Sequence, residues 1–186
     1  MLKSIIISGP PAIGKTTISK GLAKEFGLAS LSGGDVLKEL AAEQGFKTQG
    51  DDWWDTDEGM NFLNQRKGND EFDKKVDERL KVLFQKGNVV ITSYTLPWLV
   101  NGGVKIWLAG SQENSAVRMQ NRDGLSFDDA LKIVKTRYAE NKTLYKQLYG
   151  FDFGDDLSVF DIILDTDGLD AETVLKSAIN KVRELI

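Results

Sequence analysis

Short apolar runs without polar alternation recur along the chain, and each is followed by a loop and a segment with apolar residues at helical spacing. Such runs are typical of strands that are buried on both faces of a parallel sheet. The predicted strands are Ser4–Ser8, Ala29–Ser32, Asn88–Thr92, Val104–Ala109 and Asp161–Leu164. The predicted helices are Lys15–Phe26, Asp35–Gln44, Asp70–Gln85, Ser111–Asn121, Phe127–Tyr149 and Ala171–Leu185. This order predicts an α/β fold in which helices flank a parallel sheet of about five strands.

The composition narrows the chemistry that the chain can perform. Its 186 residues are 41% hydrophobic and 28% charged, with a net charge of −4, which predicts one globular domain and does not favour nucleic acid as a partner. The absence of cysteine and histidine excludes disulfides, thiolate nucleophiles, histidine bases and the usual zinc ligands. We expect a cytoplasmic protein without a membrane partner, because we find neither a signal peptide nor a membrane-length apolar run. The oligomeric state stays open.

A phosphate-binding motif follows the first predicted strand. Residues Gly9–Thr16 match the pattern Gly-x-x-x-x-Gly-Lys-(Ser/Thr) in full, which predicts a three-layer P-loop NTPase fold. Backbone N–H groups of the loop would bind the phosphates of ATP, with Lys15 reaching the β- and γ-phosphates and Thr16 ligating Mg²⁺. The predicted nucleotide-binding residues are Gly9, Pro10, Pro11, Ala12, Ile13, Gly14, Lys15, Thr16 and Thr17. The competing interpretation is a glycine-rich turn that only joins strand to helix.

Three arginines between positions 118 and 137 form a second group of candidate residues. The spacing of Arg118 and Arg122 puts both on one face of a helix, and Arg137 lies on the next predicted helix. A segment between these helices could close over a nucleotide, so that the arginines neutralise charge that develops during phosphoryl transfer. In the alternative interpretation they are solvated arginines with acidic partners such as Asp123, Asp128 and Glu140.

Four further segments carry a family resemblance: Ser32–Lys38, Asp73–Arg79, Lys105–Leu108 and Tyr145–Asp152. They resemble archaeal-type cytidylate kinases, within the adenylate-kinase-like nucleoside monophosphate kinases, and the resemblance spans nearly the whole chain. It implies transfer of a phosphoryl group from ATP to a nucleoside monophosphate, with CMP or dCMP expected first. It also implies one kinase domain, residues 1–186, with an acceptor-side region at about 33–86 and a lid at about 118–150. The implied catalytic residues are Lys15, Arg118, Arg122 and Arg137.

The acceptor side departs from the family pattern. Thr92 stands where an acidic residue is usual, Tyr94 stands where an arginine for the acceptor phosphate is expected, and Leu144 replaces a basic residue. Lys38 replaces a second acceptor-side arginine. Because arginine binds phosphate bidentately and lysine does not, we expect a weaker hold on a monophosphate. The resemblance implies that the acceptor is bound by Asp35, Lys38, Asp73, Asp77 and Tyr94.

Other features leave alternatives open. In the acidic stretch 51–58, Trp53 or Trp54 could stack on a base or belong to a solvated loop, and Arg66 could join Lys38 in binding a phosphate. Asp73 and Asp77 either read the acceptor base or favour the first turns of their helix through its dipole. The segment Asp165–Gly168 is either a contact for the adenine edge or a plain turn.

Two other functions remain possible from the sequence. One is a kinase for a hydroxyl on a small molecule or a nucleic-acid end, for which a carboxylate such as Asp35 would serve as the base. The other is an ATP-dependent interaction module without transferase activity, in which Tyr94 and the tryptophan stretch contact a partner.

Overall fold

The sheet of the protein contains five strands, and all of them run parallel in the order β2-β3-β1-β4-β5. The computed structural model describes residues 4–48 and 70–186. The strands are β1 (Ile5–Ser8), β2 (Ala29–Ser32), β3 (Val89–Thr92), β4 (Val104–Ala109) and β5 (Ile162–Asp165). The helices are α1 (Lys15–Phe26), α2 (Gly33–Glu43), α3 (Glu71–Lys86), α4 (Leu96–Leu99), α5 (Gln112–Asp123), α6 (Phe127–Tyr149) and α7 (Ala171–Arg183). The predicted parallel sheet is confirmed, with element boundaries within two residues.

Strand β1 lies at the centre, where it pairs with both β3 and β4. Its side chains alternate between the two faces of the sheet, and all its apolar residues are buried because helices cover both faces. Ile5 and Ile7 pack on one face with residues of α1 and α7, and Ile6 packs on the other face with residues of α2 and α3. The three layers that result expose the carboxyl ends of the strands at one edge, where parallel α/β sheets bind ligands.

The short helix α4 was not predicted, and a buried lysine explains its position. Lys105 of β4 donates from Nζ to the carbonyl oxygens of Pro97 and Val100, both at 2.6 Å. Lys105 is only 9% exposed, and burial lowers the pKa of its ammonium group. The lysine therefore satisfies carbonyls at the end of α4 and fixes this helix over β4.

An aromatic cluster joins β4 and α4 to the segment that follows α6. Trp98 stacks on Phe151 with ring centroids 4.3 Å apart, and it meets Phe160 edge-on at 5.1 Å. Trp107 and the fully buried Phe153 complete the cluster. Trp98 packs as predicted, and the cluster fixes the C-terminal end of α6 against the sheet.

The stretch 51–58, with Trp53 and Trp54, lies outside the described residues, as does Arg66, so their predicted roles remain predictions. In the part of the chain that the structure describes, every helix is too short or too polar to cross a membrane.

Candidate active site

The phosphate loop begins where β1 ends, and close packing at Gly9 and a positive φ at Gly14 favour glycine at these two positions. Gly9 has a φ of 150°, and a Cβ at this residue would lie 2.5 Å from the carbonyl oxygen of Leu108. Gly14, at the N-cap of α1, has a φ of 101°, which side chains disfavour. The loop thus turns tightly from the central strand into the N-terminus of α1, and this arrangement suits phosphate binding.

Lys15 lies in the first turn of α1, and its ammonium group folds back over the loop. Its Nζ donates to the carbonyl oxygens of Gly9 at 2.9 Å and Pro10 at 2.6 Å, and it lies 4.5 Å from the centroid of the Tyr94 ring. Burial lowers the pKa of Lys15 to about 7. Thr16 and Thr17 are exposed in the same turn. A cation and two hydroxyls therefore lie together at the loop.

Arg118, on α5, clamps the loop from the other side. Its Nη1 donates to the carbonyl oxygen of Ile13 at 2.6 Å and to Oγ1 of Thr166 at 3.0 Å, and its Nη2 donates to the carbonyl oxygen of Thr166 at 3.0 Å. The half-buried guanidinium group therefore joins α5, the phosphate loop and the turn after β5. In the structure Arg118 binds these protein oxygens, and its role at the transferring phosphoryl group stays a prediction.

The turn after β5 is fastened to the N-terminus of α5. The Asp167 carboxylate accepts from the backbone N–H of Ser111 at 2.9 Å and from Nδ2 of Asn114 at 2.7 Å. The bond from Ser111 is the main reason that the pKa of Asp167 is lowered. Gly110 allows this contact, since a Cβ there would lie 2.9 Å from Asp167 Oδ1. The turn interpretation of Asp165–Gly168 thus has a structural basis, and the adenine contact remains a prediction.

Arg122 and Arg137 lie at the surface of the paired helices α5 and α6. Arg122 donates from Nε and Nη2 to the two carboxylate oxygens of Asp123, at 2.5 and 2.6 Å. The bond from Arg122 is the main reason that the pKa of Asp123 is lowered, and the charge of the exposed Arg137 adds to it. Burial raises the pKa of Tyr94, and the nearby charge of Arg137 opposes this rise. The Asp123 partner agrees with the alternative interpretation of Arg122, although an exposed ion pair costs little to exchange.

On the acceptor side, Asp77 of α3 is buried and bonded to two hydroxyl groups. Its Oδ1 accepts from Oγ1 of Thr95 at 2.5 Å, and its Oδ2 accepts from the hydroxyl of Tyr149 at 2.6 Å. Burial raises the pKa of Asp77. The pKa of Tyr149 is also raised, mainly by burial and to a smaller extent by its hydrogen bond to Asp77. The carboxylate therefore connects α3, the segment after β3 and the end of α6.

The remaining acceptor-side residues lie on α2, on α3 and after β3. The Asp35 Oδ2 accepts from the backbone N–H and the hydroxyl of Ser32, at 2.8 and 2.7 Å, in a capping box at the start of α2. Lys38 is half-buried one turn further along α2, and Asp73 is half-buried one turn before Asp77. Tyr94 reaches from the end of β3 to Lys15.

The comparisons with known proteins agree on one family. The cytidylate kinase-like family matches residues 4–168 of this chain. The cytidylate kinase of Pyrobaculum calidifontis is 34% identical over 178 residues, which cover 95% of this chain and 90% of that protein. The cytidylate kinase of Methanocaldococcus jannaschii is 32% identical over 188 residues, covering 97% and 99%. The chain belongs to the cytidylate kinase-like family. ATP use is implied for members of a kinase family.

Solved structures match this member of the family at lower identity. An uncharacterized protein from Eubacterium ventriosum superposes with a TM-score of 0.70 at 18% identity, over 99% of both chains. Shikimate kinase from Acinetobacter baumannii, in complex with shikimate, superposes with a TM-score of 0.63 at 16% identity, over 99% of this chain and 94% of that one. These likenesses show the fold alone, the P-loop kinase architecture expected from the sequence.

Sequence reasoning missed the contacts that connect its motifs. Thr95 and Tyr149 hold Asp77 from positions 18 and 72 residues away, spacings that carry no local signal. Asn114 carries no sequence signal, although its Nδ2 donates to the carbonyl oxygen of Thr166 and to Asp167 in the turn that Arg118 clamps. The ring contact between Tyr94 and Lys15 was also missed, and the only sequence signal there was an aromatic residue where the family has a cation.

Proposed function

We propose that the protein transfers the γ-phosphoryl group of ATP to a nucleoside monophosphate, with CMP or dCMP as the first candidates. The observation that carries the proposal is a complete phosphate loop with Lys15 folded over it, in a chain whose cytidylate kinase relatives match almost their full length. The loop N–H groups and the N-terminus of α1 would bind the phosphates, and Lys15 would neutralise the charge of the β- and γ-phosphates.

Magnesium fits the nucleotide side of the proposed site. No group of three metal-ligating side chains gathers anywhere in residues 4–48 and 70–186. Magnesium held by nucleotide phosphates needs few protein ligands, and the exposed Thr16 hydroxyl beside the loop supplies one. When bound, the ion would neutralise part of the charge on the transferring group.

The acceptor needs no general base in this proposal. A phosphate oxygen is largely deprotonated near neutral pH, so it can attack the γ-phosphorus in line without a histidine or carboxylate to remove a proton. Arg122 and Arg137 would neutralise the developing charge as the proposed lid at about 118–150 closes, and Arg122 would leave Asp123 to do so. Arg118 would act earlier, by holding the loop that binds the nucleotide.

The acceptor would bind in the proposed region at about 33–86, near Lys38, Asp73 and Tyr94. A kinase that uses Asp35 as a base for a hydroxyl acceptor has less support, because both Ser32 donors already bind the Asp35 carboxylate. Among the contacts of residues 4–48 and 70–186, we find none that favours an interaction module without transfer.

A coupled assay of ADP release with an acceptor panel tests the proposal. The panel contains CMP, dCMP, UMP, AMP, GMP and no acceptor, and Lys15→Ala serves as the matched control. We expect CMP or dCMP to stimulate turnover well above the acceptor-free rate, and Lys15→Ala to reduce that rate at least about 100-fold. Direct detection of CDP by chromatography confirms transfer. If ATP binds but no monophosphate stimulates turnover, the proposal is wrong.

A further inference from the structure

The Lys15 ammonium group lies between the phosphate loop and an aromatic ring. Two of its three N–H bonds are accounted for by the carbonyl oxygens of Gly9 and Pro10, and the Tyr94 ring centroid is 4.5 Å from Nζ. A cation at this distance from a ring face is attracted by the ring quadrupole, more strongly when water is excluded. Tyr94 therefore contacts the residue that defines the phosphate loop.

Tyr94 is itself fixed in this position. Its carbonyl oxygen accepts from Oγ of Ser8, at the end of β1, at 3.2 Å. Its ring meets Phe153 edge-on at 5.7 Å and lies 6.2 Å from the ring of Tyr145 on α6. The ring is thus held by neighbours on both sides and does not depend on Lys15 for its orientation.

The hydroxyl end of the same side chain reaches α6. The Tyr94 hydroxyl lies within the electrostatic reach of Asn141 and Arg137, which are one helical turn apart on α6. One side chain thus contacts Lys15 and, through the ring of Tyr145, also α6.

We propose that Tyr94 is a positioning residue for Lys15: its ring face holds the ammonium group over the phosphate loop, and its contact with Tyr145, together with its hydroxyl group beside Asn141, links that position to α6. The inference rests on the proposed function only in assigning Lys15 to the phosphates of the nucleotide. An arginine at position 94 would put a second cation beside Lys15 and repel it, whereas a tyrosine ring attracts it. Tyr94 thus strengthens nucleotide binding through Lys15, whereas an arginine at this position would bind the phosphate of the acceptor.

A movement of α6 should consequently be felt at Lys15. Tyr145, Asn141 and Arg137 move together with their helix, so an α6 that shifts towards the nucleotide carries these neighbours of Tyr94 with it. Removing the Tyr94 hydroxyl group or the Asn141 amide should therefore weaken ATP binding in the same way, although Asn141 does not contact the phosphate loop in the described structure.

Nuclear magnetic resonance of the full chain tests the ring contact without any acceptor. Protein with ¹³C-labelled lysine, assigned with Lys15→Arg, should show the Lys15 ε-methylene protons shifted upfield by the ring current. Tyr94→Phe should keep this shift, and Tyr94→Leu should abolish it and weaken ATP binding about 5-fold in calorimetry. Tyr138→Leu removes another tyrosine ring from the same aromatic cluster and serves as the matched control. It should leave both the Lys15 shift and the affinity for ATP unchanged.

A double-mutant cycle tests the link to α6. Tyr94→Phe and Asn141→Ala should each weaken ATP binding about 3-fold, and the double variant should be no weaker than either single variant. Additive losses would overturn the link. The positioning role is wrong if wild-type Lys15 shows no ring-current shift, a measurement that stands even if Tyr94→Leu fails to fold. If no monophosphate stimulates turnover but the Lys15 results hold, the proposed function fails and this inference survives.

Discussion

The two sides of the site use their charged residues differently. On the nucleotide side, Lys15 and Arg118 donate to main-chain carbonyl oxygens of the phosphate loop, so the loop is organised by cations that reach its backbone. On the acceptor side, Asp77 and Asp35 accept from side-chain hydroxyl groups, and Asp35 also caps the helix that carries it. The cations shape a site that can bind a ligand, whereas these carboxylates are occupied by their own chain.

That difference separates two kinds of residue that sequence reasoning treats alike. A charged residue in a family motif can contact a substrate or can hold the elements that surround it. Arg118 and Asp77 both hold elements together in the structure, one on each side of the site. Substitutions that distinguish loss of stability from loss of binding therefore test how far the contrast extends.

The largest expected effect is at Asp77. Asp77→Ala would leave the hydroxyl groups of Thr95 and Tyr149 without their acceptor in a buried place, and we expect unfolding to become easier by about 3 kcal/mol. Urea unfolding measures this change. Asp73→Asn, one turn away and only half-buried, is the matched control and should cost less than about 1 kcal/mol. If Asp77→Ala keeps its stability and only raises the KM for the acceptor, then Asp77 reads the substrate and the contrast fails.

A smaller effect is expected at Arg118. Arg118→Ala would release the carbonyl oxygens of Ile13 and Thr166, which we expect to cost about 2 kcal/mol of stability and to weaken ATP binding about 10-fold. Arg118→Lys should restore little, since lysine lacks the planar fork that spans both oxygens. Thermal unfolding and calorimetry measure the two losses.

Arg122→Ala provides the comparison for Arg118. Because its ion pair with Asp123 is exposed, this variant should change stability by less than about 0.5 kcal/mol, while kcat falls. Equal destabilisation by both variants would show that Arg122 stabilises the fold as much as Arg118 does, contrary to the structure.

The last expected effect, the pH dependence of ATP binding, needs no substitution. With its pKa at about 7, Lys15 is mostly neutral in the free protein at pH 8, and the phosphates of bound ATP favour its charged form. Binding at pH 8 should therefore take up close to one proton, and affinity should fall by up to about 10-fold per pH unit above pH 7. Calorimetry in buffers of different ionisation enthalpy measures the uptake. Lys15→Arg should show none; equal uptake by both proteins would contradict the assignment.

The sequence predicted the nucleotide side better because its information there is local. The phosphate loop is a contiguous pattern between a strand and a helix, and Gly9 and Gly14 have the backbone angles that such a loop needs. The direction of Arg118 could not be predicted in this way, since it depends on how α5 packs beside the turn after β5.

On the acceptor side, the residues were identified but their contacts were not. Asp77 and Tyr149 stand in separate motifs, and only the packing of α3 against the end of α6 brings them together. Tyr94 was recognised as a departure from the family, yet its ring contact with Lys15 requires the three-dimensional positions of β3 and α1. Family patterns therefore identified the candidate residues, and tertiary contacts determine which groups each of them binds in the structure.

The central position of β1 also affects how the protein is made. Ile5 of strand β1 pairs with Val90 of β3 and with Val104 of β4. Because both partners come more than 80 residues later in the sequence, β1 leaves the ribosome before either of them is synthesised. At usual rates of synthesis, of about 5–20 residues per second, its consecutive isoleucines wait several seconds for a partner strand. During that interval β1 is an unpaired apolar segment of the kind that chaperones bind. Its pairing with both neighbouring strands can be completed only after β4 has emerged.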